Sequence, residues 1–202
     1  MKKNFIILAS GNGSNALNLI NKFYTDKNGC GDIEIAAVVS NIADAPVIEK
    51  VKKTAPDISI FVIPFTVLSE RDAFEKELGD IIKKYKVDYI ILAGFMKILS
   101  KEFVSKFPYQ IINIHPSLLP AFKGREAIKK AFEYGVKYTG VTVHYVTSEI
   151  DAGPIICQEI VGIDDSDTVG TLEAKIHKTE HKIYPVAIEI ALTGADPRRR
   201  VI

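Results

Sequence analysis

Apolar residues in this chain cluster in short runs, and each run ends in a residue that breaks regular structure. The runs cover Phe5–Ala9, Ile33–Val39, Ile58–Ile63, Val87–Leu92 and Ile111–His115. Glycine, asparagine or proline follows every one of them within two residues. Short apolar runs bounded in this way predict buried β-strands.

Between these runs, apolar residues recur every three or four positions, which predicts helices packed on the strands. The first predicted helix places Leu17, Ile20 and Phe23 on one face. A Ser69-x-x-Asp72 capping signal opens the third, and Pro185 is expected to kink or split the last. The other predicted helices have the following bounds: Asp44–Lys53 with Pro46 in its first turn, Ser69–Tyr85, Lys101–Phe107, Gly124–Tyr134 and Thr168–Leu192.

The alternation of strands and helices predicts an α/β protein with a mostly parallel, twisted sheet and helices on both faces. The pattern changes after His115. Lys137–Val146 alternates with the period of a strand, and Pro154–Val161 forms another run after an Asp-Ala-Gly-Pro turn. We expect these two strands to pair antiparallel at the C-terminal edge of the sheet, joined by the loop around Asp151.

Composition narrows the class of protein further. The chain has 202 residues, 47% hydrophobic and 25% charged, and a net charge of +1, which fits one globular domain over residues 1–202. Such a balance gives no reason to expect a nucleic acid or an anionic membrane as partner. No window approaches the ~20 apolar residues of a membrane span. Two separate cysteines, Cys30 and Cys157, favour a reducing, cytoplasmic setting.

Two polar side chains mark the end of the strand at Ile111–His115. Asn113 and His115 are two positions apart, so they project from the same face, and Pro116 then ends the strand. Ligands bind at such strand ends in α/β proteins. Taken alone, the pair also fits a strand end with two satisfied polar residues.

The loop after the first strand, Ser10–Asn15, is rich in glycine and precedes a helix. Backbone N–H groups at Gly13, Ser14 and Asn15 predict a cradle for one phosphate. The same letters satisfy a loose G-x-G-x-x-A, so a dinucleotide site is an alternative. That alternative lacks the acid expected at the end of the second strand, where Ser40 and Asn41 stand. A turn that needs glycine for steric reasons also fits.

Two further loops contain candidate residues. Met96, Ile98 and Leu99 follow Gly94 and could line an apolar slot or simply belong to the core. Asp151 sits in a turn, where acids are usually solvated. If Asp151 lies near His115, it favours the protonated imidazole, which with the Asn113 amide suits stabilisation of an oxyanion in acyl transfer. No metal site is expected, because His177 and His181 share a helix face without a third ligand.

Five motifs in order resemble one family, the folate-dependent phosphoribosylglycinamide formyltransferases of purine synthesis. They are S-G-N-G-S-N, S-N-I-A-D-A, L-A-G-F-M-K-I-L-S, I-N-I-H-P-S-L-L-P and H-Y-V-T-S-E-I-D-A-G-P-I-I, and the resemblance runs from about Asn4 to Leu192. It implies a Rossmann-like formyltransferase core, with a nucleotide-binding half over about 1–100 and a catalytic and folate-binding half over about 101–202. It further implies formyl transfer from 10-formyltetrahydrofolate to the amine of glycinamide ribonucleotide.

The resemblance also assigns roles to residues. It implies that Asn113, His115 and Asp151 are catalytic. Substrate-binding residues would be Gly13, Ser14, Asn15, His177, Lys178, Thr179 and Glu180, with Glu180 meeting the amine or the ribose. Folate-binding residues would be Arg71, Met96, Lys97, Ile98, Leu99, Asn113, Thr147, Ser148, Glu149, Ile150 and Asp151.

Two positions depart from the family pattern. Lys97 stands where the family often has arginine, so a side-chain contact with the ligand stays open. Lys123, within Ala121–Ala127, stands where some members have proline, which leaves the conformation of that loop open.

Other functions remain as alternatives. Formyltetrahydrofolate deformylase shares these motifs, but an extra N-terminal domain and a second histidine after the catalytic one are expected there, whereas Pro116 follows His115 here. Methionyl-tRNA formyltransferase would need a further tRNA-binding domain. An NAD-binding oxidoreductase domain and a non-catalytic ribonucleotide-binding module are less favoured. We expect small-molecule substrates only, and a monomer or homodimer.

Overall fold

The computed structural model describes residues 3–25 and 33–192. Cys30, noted above, lies outside these residues. The chain divides into two compact units, residues 1–111 and residues 112–202. Within the described ranges, no helix is both long enough and apolar enough to cross a membrane.

The first unit is built on four parallel strands in the order β3-β2-β1-β4. Their bounds are β1 Lys3–Ala9, β2 Ile33–Ser40, β3 Ser59–Val62 and β4 Tyr89–Leu92. Phe5–Ala9 in β1 is fully buried, as a central parallel strand requires. Fully burying each large apolar side chain there contributes about 1.5–3 kcal/mol.

Helices of the first unit follow the predicted order. They are α1 Ser14–Ile20, continued by a π-helical turn Asn21–Thr25, α2 Pro46–Thr54, α3 Arg71–Lys84 and α4 Lys101–Ser105. Helix α2 starts at Pro46 rather than at Asp44, because Ala45 is extended and proline takes the first helical position.

The predicted capping of α3 by Ser69 and Asp72 is wrong. A 3₁₀ turn, Leu68–Glu70, precedes the helix. The Glu70 carboxylate accepts hydrogen bonds from the backbone N–H groups of Thr66 (2.6 Å) and Val67 (3.2 Å). The Glu70 carboxylate thus closes the 3₁₀ turn, whereas, among the described residues, no side chain forms a capping hydrogen bond at the start of α3 itself.

The second unit contains an antiparallel ladder. Its strands are β5 Ile111–His115, which begins at the last residue of the first unit, β6 Tyr138–Tyr145 and β7 Ile155–Gly162. The fold prediction is confirmed: a seven-stranded α/β protein with parallel strands first and an antiparallel C-terminal edge.

Two helices complete the second unit, α5 Ala127–Tyr134 and α6 Val169–Leu192. Helix α5 starts three residues later than predicted, because Gly124 and Glu126 have left-handed φ angles of 79° and 59°. Helix α6 packs against β6 and β7 and is not split, although Pro185 lies inside it. Pro185 is itself buried, so packing holds the helix together around the missing N–H.

Candidate active site

Strand β5 brings Asn113 and His115 to one face, as the two-residue spacing predicts. In the ladder with β6, Asn113 lies opposite His144 and His115 lies opposite Thr142. His115 is buried (5% exposed), whereas Asn113 is partly exposed. The strand therefore presents an amide and an imidazole side by side, and its pairing with β6 fixes their positions.

Both ring nitrogens of His115 have partners within the second unit. Its Nε2–H donates to the Phe122 carbonyl at 3.0 Å, and its Nδ1 lies 3.5 Å from Asp151 Oδ2. Because a carbonyl only accepts, the proton on Nε2 is fixed, and the protonated ring would turn its Nδ1–H to the carboxylate. The predicted proximity of Asp151 and His115 is confirmed.

Asp151 is held in place by its turn and by a loop after β5. Its φ of 47° is left-handed, a conformation that aspartate tolerates better than most residues. Its Oδ2 accepts from the Gly124 N–H at 2.8 Å. Burial alone would raise the pKa of Asp151. Interactions with the His144 ring, the Gly124 N–H and the His115 charge outweigh burial and lower the pKa to about 2, so the carboxylate is charged at neutral pH.

The loop Ala121–Ala127, whose conformation the sequence leaves open, supplies two backbone groups to this cluster. The Phe122 carbonyl binds His115 and the Gly124 N–H binds Asp151. Phe122 adopts a φ of 53°, which is unusual for an aromatic residue. Backbone groups carry no side-chain signature, so sequence reasoning misses them.

His144 is a further member of the cluster that sequence reasoning missed. It is buried (2% exposed). Its Nε2 lies 3.3 Å from Asn113 Nδ2 and 3.6 Å from Asp151 Oδ1. The strand-period alternation of β6 placed His144 on the opposite face from Val143. The alternation does not predict that His144 lies opposite Asn113, because this pairing depends on the register between β5 and β6.

The segment Thr147–Asp151, predicted to surround the folate, forms the turn between β6 and β7. Ser148, Glu149 and Ile150 are exposed, and the Thr147 hydroxyl donates to the Glu149 carbonyl at 3.3 Å. At the end of this turn the backbone of Gly153 packs closely against the backbone of Tyr145, because a Cβ on Gly153 would lie 1.8 Å from the Tyr145 carbonyl oxygen. Glycine is therefore required for the approach that seats Asp151.

The predicted substrate contacts on α6 centre on an ion pair. His177 Nδ1 lies 2.9 Å from Glu180 Oε2, and its Nε2 lies 3.6 Å from Glu173. The hydrogen bond with Glu180 raises the pKa of His177, which is partly exposed. Glu180 is buried, whereas Lys178 is exposed and the Thr179 hydroxyl donates to the Lys175 carbonyl. The exposed groups here are thus His177 and Lys178 rather than Glu180.

In the first unit, the loop before α1, predicted to hold a phosphate, packs tightly against Val47 at Gly13. Gly13 has a φ of 73°, and a Cβ there would lie 2.2 Å from Val47 Cγ2. Ser14 and Asn15 then open α1, and Lys50 of α2 donates to the Asn12 carbonyl at 3.1 Å. Glycine is thus sterically required at position 13, and the helix start behind it provides backbone donors.

The predicted folate residues of the first unit lie on a braced loop. Met96 and Ile98 are exposed, while Leu99 is buried. The Met96 N–H donates to the Ser10 hydroxyl at 2.8 Å, and the Lys97 ammonium donates to the Thr66 carbonyl at 2.6 Å. One of the three N–H donors of Lys97 is therefore used within the protein.

Arg71, the remaining predicted folate residue, is the first residue of α3. Its Nε lies 4.0 Å from Asp72 Oδ1, at the limit of an ion pair, and its side chain is one-third exposed. Across residues 3–25 and 33–192, no cluster of histidine, cysteine or acidic side chains has the arrangement of a metal site.

Comparison with known proteins identifies the family. The formyl transferase family model matches residues 3–188. Phosphoribosylglycinamide formyltransferase of Bacillus subtilis is 40% identical, over 93% of this chain and 93% of that protein. A crystal structure of phosphoribosylglycinamide formyltransferase from Anaplasma phagocytophilum superposes with a TM-score of 0.85 at 37% identity, covering 96% of this chain and 89% of that chain.

Longer relatives also match. The trifunctional purine biosynthetic protein adenosine-3 of Gallus gallus is 41% identical over 94% of this chain, which spans only 18% of that protein's length. The resemblance inferred from the five sequence motifs is confirmed by the family model, by the bacterial relative and by the crystal structure. The chain belongs to the formyl transferase family, among the phosphoribosylglycinamide formyltransferases.

Proposed function

We propose that this chain transfers a formyl group from 10-formyltetrahydrofolate to the amine of 5'-phosphoribosylglycinamide, in de novo purine biosynthesis. The products are the formylglycinamide ribonucleotide and tetrahydrofolate. The observation that carries the proposal is the buried cluster in which Asp151 lies 3.5 Å from His115, beside Asn113 on the same strand. Family membership makes this chemistry the first choice for the cluster.

The reaction is an acyl transfer through a tetrahedral intermediate. The amine lone pair forms a bond to the formyl carbon, and the carbonyl π electrons move to oxygen. Collapse of the intermediate breaks the bond to N10 of the folate. That nitrogen gains a proton and the attacking nitrogen loses one, so the number of protons is unchanged.

We assign stabilisation of the oxyanion to Asn113 and protonated His115. The Asn113 amide has two N–H groups, of which one faces His144 and the other can reach a developing oxyanion. His115 contributes its positive charge, and its Nε2–H must be shared between the Phe122 carbonyl and the substrate. Charged Asp151 keeps His115 protonated and relays the proton of the amine through water.

We assign substrate binding to the following groups. The backbone at Gly13, Ser14 and Asn15 holds the phosphate of the ribonucleotide, and His177, Lys178, Thr179 and Glu180 serve the same substrate. The burial of Glu180 leaves its partner His177 as the exposed group of that pair. Arg71, Met96–Leu99 and Thr147–Asp151 bind the folate, with Met96 and Ile98 providing exposed apolar surface.

Three further proposals concern the protein as a whole. The folate is a co-substrate and no metal takes part. The chain acts as one formyltransferase domain over residues 1–202, on small molecules and not on nucleic acid, in the cytoplasm. It is a monomer or a homodimer, which light scattering after size-exclusion chromatography would decide.

The test of the function is a formyl-transfer assay with both substrates. We expect the wild-type protein to be active and His115→Ala to lose roughly a hundredfold or more in kcat, the cost of removing an oxyanion donor. His181→Ala, which removes a histidine on α6 outside the catalytic cluster, serves as the control. The thermal midpoint of each variant shows whether it is folded. An inactive wild type, or a His115→Ala variant with undiminished kcat, would contradict the proposal.

A further inference from the structure

The His144 ring sits at the centre of the cluster without a role in the reaction described above. It lies on β6, directly opposite Asn113 of β5, and is 2% exposed. Its Nδ1 lies 2.9 Å from the Tyr145 carbonyl oxygen. Because a carbonyl only accepts hydrogen bonds, Nδ1 is the protonated nitrogen.

This tautomer determines what Nε2 can do. In the neutral ring Nε2 is an acceptor, and its nearest neighbour is Asn113 Nδ2 at 3.3 Å. The Asn113 amide then turns its nitrogen to His144, and its second N–H remains available. Asp151 Oδ1 lies farther away, at 3.6 Å. When the ring is protonated on both nitrogens in acid, its Nε2–H faces this carboxylate, and that is the state that lowers the pKa of Asp151.

We propose that His144 is a positioning residue that sets the orientation of the Asn113 amide. An amide can rotate by half a turn and exchange its oxygen and nitrogen at almost no cost in shape. An oxygen in place of the nitrogen would repel an oxyanion instead of stabilising it. The acceptor on His144 Nε2 selects the productive orientation, and the Tyr145 carbonyl holds the single proton of the neutral ring on Nδ1, away from that acceptor. This inference rests on the proposed function, because it assigns Asn113 the part of an oxyanion donor.

Two conservative substitutions separate the two ends of the ring. His144→Gln places an amide oxygen near the position of Nε2, so it keeps an acceptor for Asn113. His144→Asn places its amide near Nδ1, so it keeps the donor to the Tyr145 carbonyl and loses the acceptor. We expect His144→Asn to lower kcat roughly tenfold to a hundredfold with little change in either KM, the effect of a misdirected donor. His144→Gln should recover most of that loss.

A double-mutant cycle with Asn113 tests whether His144 acts through this amide. In an Asn113→Ala background, His144→Asn should cost little further kcat, because there is no amide left to orient. A role in packing alone would lower the activity by the same factor in both backgrounds. Thermal midpoints of all variants show whether each is folded.

Nuclear magnetic resonance gives a readout that does not depend on activity. In protein labelled with ¹⁵N-histidine, His144 should show the pattern of a neutral ring protonated on Nδ1 at neutral pH, and the signal is assigned by its loss in His144→Gln. A ring protonated on Nε2, an undiminished kcat in His144→Asn, or equal losses in both backgrounds would overturn the inference. An inactive wild type whose His144 shows the expected tautomer would instead overturn the proposed function.

Discussion

Two imidazole rings meet one carboxylate in the second unit, and backbone carbonyls decide which nitrogen of each ring faces it. Phe122 accepts from His115 Nε2, and Tyr145 accepts from His144 Nδ1. Asp151 therefore faces the opposite nitrogen in each ring, at 3.5 Å and 3.6 Å. One acid thus orders two histidines that lie 29 positions apart in sequence.

The lowered pKa of Asp151 makes a prediction for stability. Its ordinary value is 3.8 and its folded value is about 2, so the charged form stabilises the folded protein above pH 4 by about 2 kcal/mol. That contribution is lost as the pH falls from about 4 to about 2, because the unfolded chain takes up the proton first. Imidazole rings are protonated in that range, which is the state that holds the carboxylate charged.

Chemical denaturation of wild type and Asp151→Asn at several pH values measures this contribution. The variant should be less stable than wild type near pH 5, and the difference in free energy of unfolding should shrink towards pH 2. A difference that stays constant over that range would show that the carboxylate's charge does not stabilise the fold.

At the scale of elements, the turn between β6 and β7 seats Asp151 through one glycine. A Cβ on Gly153 would lie 1.8 Å from the Tyr145 carbonyl oxygen, which no side-chain rotation can relieve. We expect Gly153→Ala to push the turn away from β6 and to lower kcat by at least tenfold, since displacing a reacting group by about 1 Å costs that much or more. Gly162→Ala, at the end of β7, is the matched control, because a Cβ there meets nothing within 4 Å. Equal activity of the two variants would contradict the prediction.

The loop before α1 makes a parallel prediction for the first unit. Gly13→Ala combines a φ of 73° with a clash against Val47 Cγ2 at 2.2 Å, so the backbone cradle must deform. We expect a raised KM for the ribonucleotide and a loss of stability of about 1 kcal/mol or more. Gly11→Ala in the same loop meets no atom within 4 Å and should behave as wild type. An unchanged KM in Gly13→Ala would contradict the assignment of the phosphate to this loop.

The sequence predicts the parallel strands β1–β4 well because each is largely a continuous apolar run. It predicts Asn113 and His115 on one face because strand spacing is fixed at two residues. It does not predict that a 3₁₀ turn closed by the Glu70 carboxylate precedes α3, because the spacing of Ser69 and Asp72 does not fix the residue at which the helix begins. The pairing of His144 with Asn113 depends on the register between β5 and β6, which no local sequence pattern shows. The contacts of the Phe122 carbonyl and the Gly124 N–H depend on the conformation of a loop, which has no local pattern either.

At the scale of the whole molecule, the remaining question is which nucleophile receives the formyl group. An oxyanion-stabilising cluster such as Asn113 with His115 serves attack by an amine or by water equally well. Transfer instead of hydrolysis therefore depends on holding the ribonucleotide that carries the amine, the part assigned above to Gly13–Asn15 and to His177–Glu180. Holding a reactant in place raises its effective concentration by several orders of magnitude.

We therefore expect conversion of 10-formyltetrahydrofolate to tetrahydrofolate to require the ribonucleotide. Without it, release of formate should be slower by roughly a hundredfold or more, because water has no positioned site. The absorbance change of the folate, followed with and without ribonucleotide, measures both rates with the same protein sample. Gly13→Ala should need more ribonucleotide to reach the same rate, whereas Gly11→Ala should not. Equal rates with and without ribonucleotide would show that the chain hydrolyses the formyl donor. That result would also contradict the assignment of the ribonucleotide contacts.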